Sequence, residues 1–118
     1  MALLRSFRFA FEGLVHLLRT QRNARIHVVI AGAALVIAAW LQLPPAEWAI
    51  LVLTIALVIS LEILNTAMEL AVTLASPEIH PMAKAAKDLS AAMVFVAAVA
   101  SLLVGMLLFV PRLLARAG

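Results

Sequence analysis

The chain has 118 residues, 66% of them hydrophobic, with a mean hydropathy of +1.14. Soluble domains are only about 45–50% apolar. One domain of this length cannot bury the excess of apolar residues in its own core. We therefore expect residues 1–118 to form a single domain that faces lipid. The absence of cysteine excludes disulfides and thiolate chemistry. The net charge is +3 and comes mainly from five arginines before residue 26. It favours a membrane surface rather than nucleic acid as a partner.

Residues 1–22 are predicted to form an amphipathic helix. Phe7, Phe11 and Leu14 recur at steps of four and three residues, while arginines occupy the opposite side. Charged residues interrupt the apolar run every few positions, which a cleaved signal peptide would not show. We therefore expect this helix to lie on the membrane surface.

Three longer apolar segments follow, at about 26–43, 46–75 and 86–111. About 20 residues suffice to cross the hydrocarbon, so the middle segment is about ten residues too long. Its surplus carries the acids, which places Glu69 at the interface and Glu62 slightly below it. The sequence thus predicts an all-α integral membrane protein with an N-terminal surface helix and three transmembrane helices.

The orientation follows from the distribution of lysine and arginine. Seven of the nine such residues precede the first span or lie between the second and third spans. The positive-inside rule therefore places the N-terminus and that loop in the cytoplasm and the C-terminus outside.

Glu62, Asn65 and Glu69 form a polar stripe on one face of the second span, since they are spaced i, i+3 and i+7. An ionised acid in hydrocarbon costs about 2.5–3.5 kcal/mol, so such residues are usually functional. The short following loop brings Lys87 and Asp88 to the same end of the neighbouring span. An acid with an amide can hold Mg²⁺, a lysine can offset phosphate charge, and a second acid can take a proton from a hydroxyl.

Other interpretations of the polar residues remain open at this point. The charges at the interface could simply pair with one another. His16 and His27 are interpreted as interfacial or packing residues, whereas His80 is expected to act together with its neighbours. No glycine-rich phosphate loop is present, so a nucleotide would have to be held by side chains and metal.

Four stretches, together with the three spans, resemble the prokaryotic diacylglycerol kinase and undecaprenol kinase family of small membrane lipid kinases. They are FRFAFEGL (7–14), TQRNARIH (20–27), EILNTAME (62–69) and SPEIHPMAKAAKD (76–88). The resemblance covers nearly the whole chain. It implies a homotrimer in the bacterial inner membrane, with active sites at subunit interfaces near the cytoplasmic surface, where MgATP phosphorylates a lipid hydroxyl.

The resemblance also implies a role for each residue in these motifs. Glu62 corresponds to the general base on the lipid hydroxyl, and Asn65 supports the site. Mg²⁺ would be bound by Glu69 and Gln21. The expected ATP contacts are Gln21, Glu69, Glu78, His80, Lys87 and Asp88. The expected residues of the lipid acceptor pocket are Asn23, Arg25, Glu62 and Ala91.

Two positions depart from the family pattern. Many members have Glu where this chain has Gln21, and an amide oxygen coordinates Mg²⁺ without supplying negative charge. Many also have Asp where this chain has Thr73. A weakened or inactive member of the same fold therefore remains an alternative.

Phosphorylation of undecaprenol is the favoured function, because the loop SPEIHPMAKAAKD is more similar to the undecaprenol kinase branch. Diacylglycerol kinase, which makes phosphatidic acid, is the alternative within the family. A small transport or structural subunit is the non-enzymatic alternative. A transporter would usually place its charges near the midplane, whereas these gather at the cytoplasmic end.

Overall fold

A computed structural model describes all residues from Met1 to Gly118 as four helices joined by short connections. The helices are α1 (Ala2–Thr20), α2 (Arg22–Leu41), α3 (Pro45–Ala75) and α4 (Pro81–Ala117). By length and composition, α2, α3 and α4 are able to cross a membrane. The predicted all-helical class and the three spanning helices are confirmed.

The connection between α1 and α2 is a single extended residue, Gln21, with φ −113° and ψ 110°. The guanidinium of Arg25 donates hydrogen bonds to the carbonyl oxygens of Leu18, at 2.9 Å, and Arg19, at 3.2 Å. The last carbonyls of a helix lack intrahelical partners, and Arg25 supplies donors to two of them. Because of this compact corner, α2 begins at Arg22 and not at the predicted residue 26.

The turn between α2 and α3 is tight and apolar. Gln42 ends α2 in the left-handed conformation, with φ 56° and ψ 55°, which is a common way for a helix to stop. Leu43 turns inward and is buried with Leu51 and Leu108. Pro45 occupies the first turn of α3, where its missing N–H costs no hydrogen bond.

Helix α4 is longer at both ends than the predicted span of 86–111. It begins at Pro81, so Lys87 and Asp88 lie on its early turns. At the other end it continues through Pro111, because later side chains are fixed to the other helices. Arg112 forms an ion pair with Glu47 of α3.

Helices α3 and α4 form the most extensive contact in the chain, as expected for antiparallel neighbours joined by a short loop. Glu62 and Thr66 of α3 are buried, as are Ser90 and Val94 of α4. Only 13 of the 118 residues are buried in the single chain. The hydrophobic surface that remains is the surface that lipid or further subunits would cover.

Candidate active site

The centre of the site is the carboxylate of Glu62, whose side chain is 4% exposed. Its Oε1 atom lies 2.8 Å from Nδ1 of His27 on α2, a contact that becomes an ion pair when the imidazole is protonated. The ring N–H is not aligned with the oxygen as in a directed hydrogen bond, and neither atom has another hydrogen-bond partner. The side chain of His27 is 22% exposed. Two ionisable groups from different helices therefore meet inside the bundle.

A second polar contact joins α3 to α4 one turn further along. The hydroxyl of Ser90 donates to Oδ1 of Asn65 at 2.5 Å. Because Oδ1 is engaged, the amide NH₂ of Asn65 is the part of this side chain that remains free to donate to a ligand. Thr66, which is also buried, donates its hydroxyl to the carbonyl oxygen of Glu62 at 2.9 Å. This last contact lies within α3 and satisfies a polar group that would otherwise be buried alone.

The charged groups that surround this centre are less enclosed. Glu69, Lys87 and Gln21 are half-buried, and their side chains form no hydrogen bond or ion pair within the chain. Asp88 is exposed and accepts a 2.6 Å hydrogen bond from Lys84 one turn earlier. The Lys87 ammonium therefore has no carboxylate partner within the chain and is available to bind an anion.

The other residues expected at the site are dispersed. Nδ1 of His80 accepts from the backbone N–H of Met82 at 3.1 Å and so caps α4. Arg25 is committed to the carbonyls of α1. Glu78, Asn23 and Ala91 are exposed, and their side chains make no polar contact within the chain.

One chain does not assemble a metal site from acids and imidazoles alone, because no three such side chains lie close together. Mg²⁺ in nucleotide sites commonly uses only one or two carboxylates and takes its remaining ligands from phosphates and water. Glu69 is half-buried and unpaired and supplies one carboxylate, and Gln21 can add an amide oxygen. The donor chemistry therefore fits a magnesium ion that arrives with ATP.

An apolar cavity of about 550 Å³ lies between α2, α3 and α4. His27 stands at one end of it, and Val110 at the other. Its wall is mainly aliphatic and includes Ile30, Leu51, Val58, Ala98 and Leu102. A hydrocarbon chain is the kind of group that such a wall accommodates.

The sequence prediction missed the two residues that hold the centre together, His27 and Ser90. The sequence alone favours a packing or interfacial role for His27. The available signal is that, apart from Arg22 and Arg25 near its start, α2 has no other ionisable residue, and an ionisable residue in a span is by default a functional candidate. Ser90 carries no comparable signal, because serine is common in transmembrane helices.

Comparison with known proteins identifies the same group. The family model for prokaryotic diacylglycerol kinase matches residues 8–109. Undecaprenol kinase of Bacillus subtilis is 43% identical over 109 residues, which cover 92% of this chain and 89% of that protein. Diacylglycerol kinase of Synechocystis is 44% identical over 113 residues, which cover 95% of this chain but only 65% of that protein.

These relatives are kinases by name, and the matched region contains both the Glu62–Asn65–Glu69 stripe and His27. The match extends over all three spanning helices apart from the last turns of α4. The chain belongs to the prokaryotic diacylglycerol kinase family.

Proposed function

We propose that this membrane protein transfers the γ-phosphoryl group of ATP to the hydroxyl of undecaprenol. The observation that carries the proposal is the buried Glu62 carboxylate, next to an apolar cavity, in a chain that matches an undecaprenol kinase along nearly its full length. Such a carboxylate is a suitable general base for a lipid hydroxyl.

In the proposed reaction, Glu62 accepts the proton of the lipid hydroxyl. A lone pair of the hydroxyl oxygen then forms the new bond to the γ-phosphorus. The bond between that phosphorus and the β–γ bridging oxygen breaks, and its electron pair leaves with ADP. Lys87 offsets the charge of the phosphates, and the amide NH₂ of Asn65 is a further donor to them.

Glu69 and Gln21 are the residues that would hold magnesium. When bound, the ion neutralises charge on the phosphates of ATP. Glu78, His80 and Asp88 are proposed to contact the nucleotide, and Asn23, Arg25 and Ala91 to border the acceptor.

The proposed setting is the cytoplasmic face of a bacterial inner membrane, with the C-terminus outside. Glu62 lies 17 residues beyond Pro45, about 25 Å along the helix axis, so it reaches within about one turn of the far edge of a 30 Å hydrocarbon layer. Phe7 and Phe11, four residues apart on one face of α1, are each about two-thirds exposed. Contact with the membrane surface would cover these rings, which supports α1 as a surface helix.

We further propose that the working unit is a homotrimer with shared active sites. No three acidic or imidazole side chains lie together in one chain, and a neighbouring subunit could complete the site around Glu69 and Gln21. The large uncovered apolar surface of the single chain leaves room for such contacts.

The test is transfer of radiolabelled phosphate from MgATP to undecaprenol and, in parallel, to diacylglycerol in mixed micelles. We expect undecaprenol to be phosphorylated faster. Glu62→Gln should slow transfer by about 10²–10⁴-fold, the usual contribution of a general base. Faster transfer to diacylglycerol would support the second candidate, which the Synechocystis relative favours. Absence of transfer to both lipids by correctly folded protein would contradict the proposed activity.

A further inference from the structure

His27 and Glu62 meet although each comes from a different helix. Oε1 of Glu62 and Nδ1 of His27 are both buried, 2.8 Å apart, and have no other polar partner. The contact is therefore the only compensation available to that carboxylate oxygen within the chain. Burying a carboxylate without a partner is costly, so the imidazole lowers the cost of placing this acid inside the bundle.

The same contact makes the two carboxylate oxygens different. Oε1 is fully buried against the imidazole and has no hydrogen bond, whereas Oε2 is not among the buried atoms that lack a hydrogen bond. This leaves Oε2 as the oxygen that can approach a substrate hydroxyl. His27 lines the apolar cavity whereas Glu62 does not, so the imidazole contacts both the cavity and the carboxylate.

We infer that His27 is a positioning residue for phosphoryl transfer: it holds Glu62 through Oε1 so that Oε2 faces the acceptor hydroxyl. This inference rests on the proposed kinase function and on the role of Glu62 as the base. His27 itself touches neither the hydroxyl nor the phosphate. A general base is effective only when it lies within hydrogen-bond reach of the proton it removes, and small displacements of such groups reduce rates strongly.

Two substitutions separate the polar nitrogen that contacts Oε1 from the bulk of the ring. Asparagine carries its amide nitrogen the same number of bonds from Cα as Nδ1 of histidine, and leucine has nearly the same size without a polar atom. We expect His27→Leu to lower kcat by about 10- to 100-fold, less than the whole effect of a general base. The KM for MgATP should stay unchanged, and His27→Asn should recover most of the lost rate.

The matched control is His16→Leu. His16 lies on α1, is exposed, and its side chain contacts no other polar group, so this variant should retain the wild-type rate. Circular dichroism and size-exclusion chromatography show whether each variant folds. Should the leucine variant fail to fold, His27→Ala replaces it, since alanine removes the nitrogen without adding a charge next to Glu62. It should be slower than the asparagine variant by a similar factor.

A double-mutant cycle completes the experiment. If His27 acts through Glu62, adding His27→Leu to Glu62→Gln should lower the residual rate no further. Equal rates for the leucine and asparagine variants would overturn the positioning role, and so would full additivity of His27→Leu with Glu62→Gln. In either case, phosphate transfer by the wild-type protein would still support the kinase function. A wild-type protein that phosphorylates no lipid would overturn the kinase function, and the positioning role with it.

Discussion

Gln21 belongs to the proposed magnesium site and also forms the corner between two helices. It is the one extended residue between α1 and α2, it is half-buried, and its side chain is not engaged within the chain. An amide oxygen is a neutral ligand, and Mg²⁺ prefers charged oxygen ligands where phosphates do not supply the charge. We therefore expect this position to limit the affinity for magnesium.

Gln21→Glu tests that expectation. A carboxylate here should lower the Mg²⁺ concentration that gives half-maximal activity by about two- to fivefold, which corresponds to about 0.5–1 kcal/mol for a charge interaction at a partly exposed site. The measurement is the initial rate of phosphate transfer as Mg²⁺ is titrated at fixed ATP. Gln42→Glu, at the opposite end of α2, is the control and should leave the titration curve unmoved. An unchanged midpoint in the Gln21 variant would argue against metal binding there.

At this scale the sequence predicted the positions of residues along a helix better than their contacts with other helices. The spacing of Glu62, Asn65 and Glu69 depends only on helix periodicity, and all three do lie on α3. The partners His27 and Ser90 depend on how α2 and α4 are rotated against α3. That rotation is set by packing over the whole bundle, and no short stretch of sequence encodes it.

The ends of the helices away from the site are held by charged side chains. Glu47 of α3 and Arg112 of α4 form a half-buried ion pair, with a 3.0 Å hydrogen bond from the guanidinium. One turn later the Arg116 guanidinium lies 4.6 Å from the ring centroid of Trp40, within the range of a cation–π contact. These contacts join all three spanning helices at one end.

Arg112→Gln should therefore destabilise the protein without impairing phosphate transfer at low temperature. We expect a loss of about 1–2 kcal/mol, between the values for exposed and fully buried ion pairs. Thermal unfolding in detergent, followed by circular dichroism, gives the comparison. Glu12→Gln breaks the exposed Arg8–Glu12 pair and should change the midpoint little. A similar midpoint for both variants would show that the Glu47–Arg112 pair does not stabilise the bundle.

The ion pair also bears on where α4 ends. A proline inside a helix removes a hydrogen bond and usually ends or kinks it, yet α4 continues past Pro111 and beyond the predicted span of 86–111. The helix continues to Ala117 because Arg112 and Arg116 are fixed to other helices. Contacts with residues distant in sequence cannot be read from local propensity.

A single chain leaves too much apolar surface exposed to exist without lipid or other subunits around it. Aromatic and aliphatic residues cover much of its outer surface. The predicted transmembrane architecture required only composition and periodicity. The predicted trimer has a different basis, the family resemblance, because nothing in one chain fixes the number of copies.

Native mass spectrometry of protein released from detergent micelles tests the number of chains in the assembly. We expect a complex of three 12.6 kDa chains, because the family that the chain resembles is trimeric. The Gln42→Glu variant should give the same mass distribution. A species of a single chain that retains full kinase activity would contradict shared active sites.

The sharp corner at Gln21 has a thermodynamic consequence for the proposed enzyme. The bonds from Arg25 to the last carbonyls of α1 tie the orientation of that helix to the start of α2, and Gln21 lies between them. If binding of α1 to the bilayer changes the affinity for magnesium at Gln21, magnesium must change the affinity of α1 for the bilayer by the same factor. The lipid composition of the membrane would then act as an effector of the kinase as well as a source of its substrate.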